Sequence, residues 1–413
     1  MNYLGHALSA EPTISMHMMV ACMQPHAQMM LIGIFFLLSS ISIPSFHYVI
    51  CSRNRSKLSP PQSITIAPSL TIFLPVRNES ILIKQKIDEL LSMDLDYSSV
   101  SMLVVDSCSS DNTVSIAKQH LNRHHKKIDW QVLQVSTPGK SFAVNFALEK
   151  IQSEFFVMLD SDAILKPDAI SKILRWFSVS DIGAVCGKMG TERMVNGREY
   201  RHRFNTIRLG ESALDSTPIF EGSICAFRTS AIGKSRINSN INADDSQLSM
   251  IVRRNGFRAI MDPEVTFTES NIVGNISSRT RRSTRRAQGI SRALWANRDL
   301  LFFPEKTYRR IFLSEFYFYL IFPWIIFSSF IIINLSVIWW SNLNFGNPMI
   351  GLLLLVIGSL ISFSSRILKE FSTGIFSLIF SHTLLLFGKR LNSWIPDRIH
   401  REGVLQQRLD SNS

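Results

Sequence analysis

The chain alternates short apolar runs with polar loops and helical patterns. Residues 69–75, 100–105 and 155–159 are nearly unbroken apolar stretches of strand length, and such a run without polar alternation predicts a strand buried on both faces. The first run leads into Val76-Arg77-Asn78-Glu79, the second into Asp106-Ser107-Cys108-Ser109-Ser110-Asp111 and the third into Asp160-Ser161-Asp162. After the first loop, Ile83, Ile87, Leu90 and Leu91 recur at helical spacing, and after the second Val114, Ile116, Ala117 and Leu121 do the same. Repeated strand, polar loop and helix predicts an α/β fold with a doubly wound parallel sheet, its loops gathered at the carboxyl edge of the strands. Glu79, Asp106, Asp111, Asp160 and Asp162 are therefore expected to converge.

Longer apolar runs surround this unit. Residues 29–50 carry no acidic or basic side chain except His47, enough to cross a bilayer, and Arg53, Arg55 and Lys57 follow at once. By the positive-inside rule that flank is cytoplasmic, and so is the α/β domain. A cleaved signal peptide is the weaker reading, because the charge lies after the apolar core. Three later runs, 316–340, 349–363 and 371–387, predict further membrane helices, four crossings in all. That count sends a tail with Lys389, Arg390, Arg398 and Arg401 to the far side, against the same rule; a re-entrant or interfacial last segment removes the conflict. The expected organisation is an N-terminal segment (1–28, disordered or preceding a later true start), a membrane helix (29–50), a Pro-containing linker (51–68), a catalytic domain (69–275), Arg-rich and interfacial helices (276–312), a membrane region of two or three helices (313–388) and a tail (389–413). The localisation expected is integral membrane and multi-pass.

Composition adds little to this. The net charge of +12 suits a face that meets anionic lipid. The five cysteines are scattered without metal-ligand spacing, as in a reducing compartment, and no structural zinc is expected. The basic residues concentrate between Arg279 and Arg298. No nucleic-acid motif accompanies them, so nucleic acid is not an expected partner and membrane lipid is.

The chemistry points to a nucleotide. Two carboxylates one residue apart at a strand end, Asp160 and Asp162, suit a hard divalent cation that shares its shell with substrate phosphates, so Mg²⁺ or Mn²⁺ is the expected cofactor. Gly139-Lys140 opening a helix fits anion binding. Asp244-Asp245-Ser246-Gln247-Leu248 puts carboxylates at a helix start, where they cap the helix or supply a general base.

Taken in order, Pro75-Val76-Arg77-Asn78-Glu79, Val105-Asp106 through Asp111, Gly139-Lys140-Ser141-Phe142-Ala143-Val144-Asn145, Asp160-Ser161-Asp162, Glu221-Gly222-Ser223, Asp244-Asp245-Ser246-Gln247-Leu248 and the Arg-rich run 281–292 resemble the motifs of membrane-bound family 2 glycosyltransferases. These include polysaccharide synthases of the cellulose, hyaluronan, chitin and poly-N-acetylglucosamine type. The resemblance implies a GT-A, Rossmann-like fold flanked by transmembrane helices, and transfer from a nucleotide sugar, uridine being favoured over guanosine, to a lipid-linked or glycan acceptor in cell-surface glycan synthesis. It implies Asp245 as catalytic base, hence inversion; Asp162 as metal ligand, with Asp160 on the ribose or the same metal; Pro75, Asn78, Glu79, Asp106, Asp111 and Lys140 around the nucleotide; Arg285 or Arg286 on the diphosphate; and Asp244 and Gly222 on the acceptor side. Two positions depart from the family pattern. Ser107 replaces the second Asp of a paired Asp-Asp, and Arg282-Ser283-Thr284-Arg285-Arg286 lacks the Gln and Trp of a Gln-x-x-Arg-Trp segment. The second departure favours transfer of one or a few sugars over processive polymerisation. A catalytically silent sugar-nucleotide-binding protein and a transporter are the readings of other classes; the joint presence of Asp160, Asp162 and Asp245 disfavours the first and the scarcity of ionisable residues in the apolar runs the second.

Overall fold

The computed structural model describes residues 23–62, 69–190, 198–268, 276–391, 401–406 and 408. Residues 1–22 of the N-terminal segment, 63–68 of the linker, 269–275 at the end of the catalytic domain and 392–400 of the tail, Arg398 among them, lie outside the described residues.

One eight-stranded sheet organises the catalytic unit. Its strands are β1 (Leu70–Val76), β2 (Val100–Asp106), β3 (Asp129–Gln134), β4 (Phe155–Leu159), β5 (Ile164–Leu165), β6 (Ile182–Met189), β7 (Ile224–Arg228) and β8 (Arg258–Thr268), in the order β3-β2-β1-β4-β7-β6-β8-β5. The first four run parallel, as the repeated strand-loop-helix pattern predicts. The second half differs: β7 is antiparallel to both β4 and β6, which makes the sheet mixed rather than wholly parallel. β1 is buried along its whole length because both faces are covered. Leu70, Ile72, Leu74 and Val76 pack with Ile83, Ile87 and Leu90 on one face. Phe73 packs with Phe156, Met158, Ala143, Val144 and Ala147 on the other. Phe156 also stacks on Phe227 at 5.0 Å, which joins the parallel and antiparallel halves.

Among the described residues, two helical stretches are long and apolar enough to cross a membrane, Pro25–Lys57 and Lys306–Phe345. The second contains a π-helical turn, Tyr317–Ile321, just before Pro323, where the missing N–H removes one rung of the ordinary ladder. The chain divides into two compact units. The smaller comprises residues 23–42 and Trp324–Arg366; within it Gly33 lies so close to Ile333 that a Cβ would come within 2.7 Å of its side chain.

The larger unit holds the sheet, the Arg-rich helix Ile276–Ala296 and the helix Arg366–Leu386. That last helix was expected among the membrane crossings. Instead it lays Leu378 into the apolar cluster of the larger unit, and its Ser377 and His382 reach Ser283 at 3.2 Å and Ser291 at 3.0 Å on the Arg-rich helix. One side of it packs on protein, while Leu368, Phe376, Phe380 and Leu386 are exposed on the other, the two-sided character of an interfacial last segment. The tail expected on the far side is corrected, since Arg401 reaches the carboxyl edge of the sheet.

Candidate active site

Loops at the carboxyl edge of β1, β2 and β4 meet as anticipated, and hydrogen bonds stitch them together. Asn78 adopts a left-handed backbone conformation (φ 52°), and its Oδ1 accepts from the Ser110 amide at 2.7 Å. The Glu79 amide donates to Thr113 Oγ1 at 2.7 Å. Asp111 accepts from the Thr113 and Ser80 amides, so both of its carboxylate oxygens bind the two loops to each other. Cys108 is the other described non-glycine residue with positive φ, at 57°, and lies in the same cluster. Pro75 is buried in β1 opposite Val105.

Asp106 is fully buried and accepts from the Ser109 amide at 3.0 Å, from its hydroxyl and from Gln134 at 3.3 Å. Ser107, the departure from the family pattern, is also fully buried; its Oγ accepts from the Gly139 amide at 2.7 Å. Gly139 has φ 147°, a region that L side chains rarely enter, and this turn launches the helix Lys140–Lys150. Lys140 Nζ then donates to Asp160 Oδ1 at 2.6 Å. Burial opposes the Lys140 charge, but Asp160, Asp244 and Asp245 raise its pKa above the ordinary lysine value.

Across from this pair the helix Asp244–Arg254 begins. Asp244 is buried and accepts from the Ser141 hydroxyl; burial raises its pKa against the pull of Lys140. Asp245 is half-buried, and burial pushes its carboxyl up to about 7, opposed by Lys140 and aided by Asp244 and Glu221. Gly222 makes room for it: a Cβ there would sit 2.9 Å from Asp245 Oδ2. On the Arg-rich helix Arg285 is half-buried and feels Asp244 and Asp160, whereas Arg286 is exposed. On the same helix the Gln288 side chain binds the Leu391 amide at 2.7 Å and the Lys389 carbonyl at 3.1 Å.

Asp160 and Asp162 offer hard oxygen donors of the type a divalent cation takes. Asp162 already holds a cation, the Arg401 guanidinium, at 2.5 Å, and Glu79 Oε2 is buried with no hydrogen-bond partner among the described residues. The Glu79 carboxyl is pushed up to about 8 by burial, against the pull of Arg401 and with Asp162 and Asp160 adding to the rise. These carboxylates therefore form one electrostatic cluster, and they fit Mg²⁺ or Mn²⁺. Ser107, Ser141, Arg401 and Arg408 were not anticipated. The sequence offered one signal, the basic tail that violated the positive-inside rule.

The fold and the site define a GT-A glycosyltransferase. The Glycosyl transferase family group 2 model matches residues 155–388, more than half of the chain, and the Glycosyl transferase family 2 model matches residues 71–236. The chain belongs to the family 2 glycosyltransferases. Among solved structures it is similar to mannosyltransferase PcManGT from Pyrobaculum calidifontis, in complex with GDP-Man and Mn²⁺, at TM-score 0.74 and 24% identity over 88% of this chain and 100% of that one. Curated relatives include the poly(ribitol-phosphate) β-N-acetylglucosaminyltransferase TarS of Staphylococcus aureus, 25% identical over 31% of this chain and 22% of TarS. The poly-β-1,6-N-acetyl-D-glucosamine synthase of Staphylococcus epidermidis is 25% identical over 40% of each chain. The chain thus spans well under half the length of these relatives.

Proposed function

We propose that the protein is a membrane-bound, inverting glycosyltransferase that moves a sugar from a nucleotide sugar to a lipid-linked or polysaccharide acceptor in cell-surface glycan synthesis. The observation that carries this reading is the Lys140–Asp160 ion pair, with Asp244 and Asp245 acting electrostatically on Lys140, and Asp160 and Asp162 on Glu79. The relatives' names, a teichoic-acid-type and a polysaccharide glycosyltransferase, support the acceptor class. The two long apolar helices support the membrane.

Each side chain has a task in this reading. Asp160 and Asp162 would hold Mg²⁺ or Mn²⁺, which would supply neutralisation of charge on the diphosphate. Lys140 fixes Asp160 and adds positive potential at the same place, and Arg285 extends it. Asp106 and Glu79 line the nucleotide end; Asp111 and Asn78 brace their loops. Asp245 takes the proton of the acceptor hydroxyl as that oxygen bonds to the anomeric carbon. The bond from that carbon to the diphosphate oxygen breaks, and its electron pair leaves with the nucleoside diphosphate. One displacement with one base and no enzyme nucleophile inverts the anomeric centre. Asp244 and Gly222 fix the position of the base.

The test is release of nucleoside diphosphate by the detergent-purified chain across UDP- and GDP-sugars with Mg²⁺ or Mn²⁺, beside Asp245→Asn. Turnover of one donor that disappears in the variant and with chelator is the expected result. Donor binding without turnover, whatever acceptor is added, would favour a binding-only protein. Product length in the same assay separates single transfer, which the altered segment 282–286 favours, from processive synthesis.

A further inference from the structure

The C-terminal segment enters the site that the donor needs. Residues 401–406 form a short helix with Val404 fully buried, and Arg401 is 4% exposed. Arg401 Nη1 donates to Asp162 Oδ2 at 2.5 Å, and its Nη2 donates to Glu79 Oε1 at 2.6 Å. Arg408, 5% exposed, donates to the carbonyls of Ser161 at 2.8 Å and Ala163 at 3.0 Å and pairs with Glu89 at 3.0 Å. Glu89 is held in turn by Lys86, which is fully buried and also donates to the Ala163 carbonyl at 2.8 Å. Two arginines of the tail thus grip the Asp160-Ser161-Asp162 loop from both its carboxylate and its backbone. Upstream, Gln288 binds the backbone of Lys389 and Leu391.

A carboxylate oxygen that receives a guanidinium at hydrogen-bond distance cannot at once hold a divalent ion on the same lone pairs. Arg401 and a metal therefore compete for Asp162. We propose that the C-terminal segment is an exchangeable plug of the donor site: Arg401 neutralises Asp162 and Glu79 while no donor is bound, and a divalent cation arriving with a nucleoside diphosphate replaces it and frees the segment. This rests on the reading of Asp162 as a metal ligand. The free energy that holds the plug is then subtracted from donor affinity, as for any binding-competent state that is only partly populated.

The test uses the full chain in detergent, with Mn²⁺ and UDP or GDP as probes. Binding of Mn²⁺ in the presence of the nucleoside diphosphate is followed by the paramagnetic signal of free Mn²⁺, in wild type, Arg401→Gln, Arg408→Gln and Asp162→Asn. The plug predicts tighter Mn²⁺ binding in Arg401→Gln, by about tenfold, and a smaller gain in Arg408→Gln. It also predicts faster tryptic cleavage after Arg401 and Arg408 of the wild type when Mn²⁺ and nucleotide are added together, a readout that needs no variant to fold. Unchanged or weaker Mn²⁺ binding in Arg401→Gln, or protection of the segment by the ligands, overturns the proposal, the latter by making the segment a lid over bound donor. Asp162→Asn separates the two layers. If it abolishes Mn²⁺ binding while Arg401→Gln changes nothing, the plug fails and the donor site stands; if it leaves binding intact, the assignment of Asp162 fails and the plug with it.

Discussion

Asp245 and Gly222 make the sharpest case for reading chemistry from single residues. A carboxyl raised to about 7 is protonated below that pH and cannot accept the acceptor's proton there. Activity under kcat/KM conditions should therefore rise with pH through a limb centred near 7, falling about tenfold per pH unit on the acid side. A profile flat from pH 5 to 9 would remove Asp245 from the role of base. Asp245→Asn should lower kcat by about 10²–10⁴-fold with donor binding retained, measured by turnover beside nucleotide titration. Gly222→Ala tests geometry rather than charge, because the new methyl would lie 2.9 Å from Asp245 Oδ2. Displacing the base by a fraction of an ångström to an ångström should reduce kcat by up to about 10²-fold, leaving donor KM and thermal stability close to wild type. Equal losses in kcat and stability would make Gly222 a packing residue only. Asp106 and Asp160 were legible in the sequence because each sits directly after an apolar run, and Asp244-Asp245 because the pair opens a helical pattern. Ser107 and Ser141 were not. Ser141 acts through a hydrogen bond to Asp244 that spans 103 positions, and nothing local distinguishes such a serine from a solvated one.

At the scale of elements, local apolar pattern explains what could be foreseen. β1, β2 and β4 are buried on both faces, so their sequences carry no polar alternation and stand out. The direction of β7 is a different matter. Its short run Ile224–Arg228 is equally apolar, but whether it pairs parallel or antiparallel depends on the path of the chain between β6 and β7, through the helix Arg198–Leu214. The helix ends Pro25–Asn54 and Lys306–Phe316 are tied to that helix by a buried ion cluster. Arg208 reaches Glu315 at 2.7 Å and Glu211 at 3.2 Å, and Glu211 accepts from Thr217 at 2.7 Å and meets His47 at 3.0 Å. Arg208→Met should destabilise the chain by about 3–5 kcal/mol, since it strands two buried carboxylates. Adding Glu211→Gln and Glu315→Gln should recover part of that loss, because the stranded charge is removed with its partner. Thermal unfolding in detergent measures both; a single variant as stable as wild type would show the cluster to be hydrated.

At the scale of the molecule, the tail decides the topology. Glu79 and Arg401 are 322 positions apart and in direct contact, so the number of crossings between them must be even: the tail and the α/β domain must lie on one side of any membrane the protein spans. Hydropathy alone does not fix the number of crossings, because it cannot tell a helix facing lipid from one facing protein. The helix Arg366–Leu386 satisfies a span's composition over much of its length, yet its Leu378, Ser377 and His382 face the catalytic unit. Sidedness is directly measurable with a membrane-impermeant maleimide, using Lys84→Cys on the α/β domain and Glu402→Cys on the tail, both exposed positions. The two should label from the same face, and by the positive-inside rule the basic residues Arg53, Arg55 and Lys57 after the first apolar helix predict that this face is the cytoplasmic one. Both should thus react in inverted vesicles and stay unreacted in intact cells. Opposite labelling of the two positions would break the contact between Arg401 and Glu79, and with it the placement of the tail in the donor site.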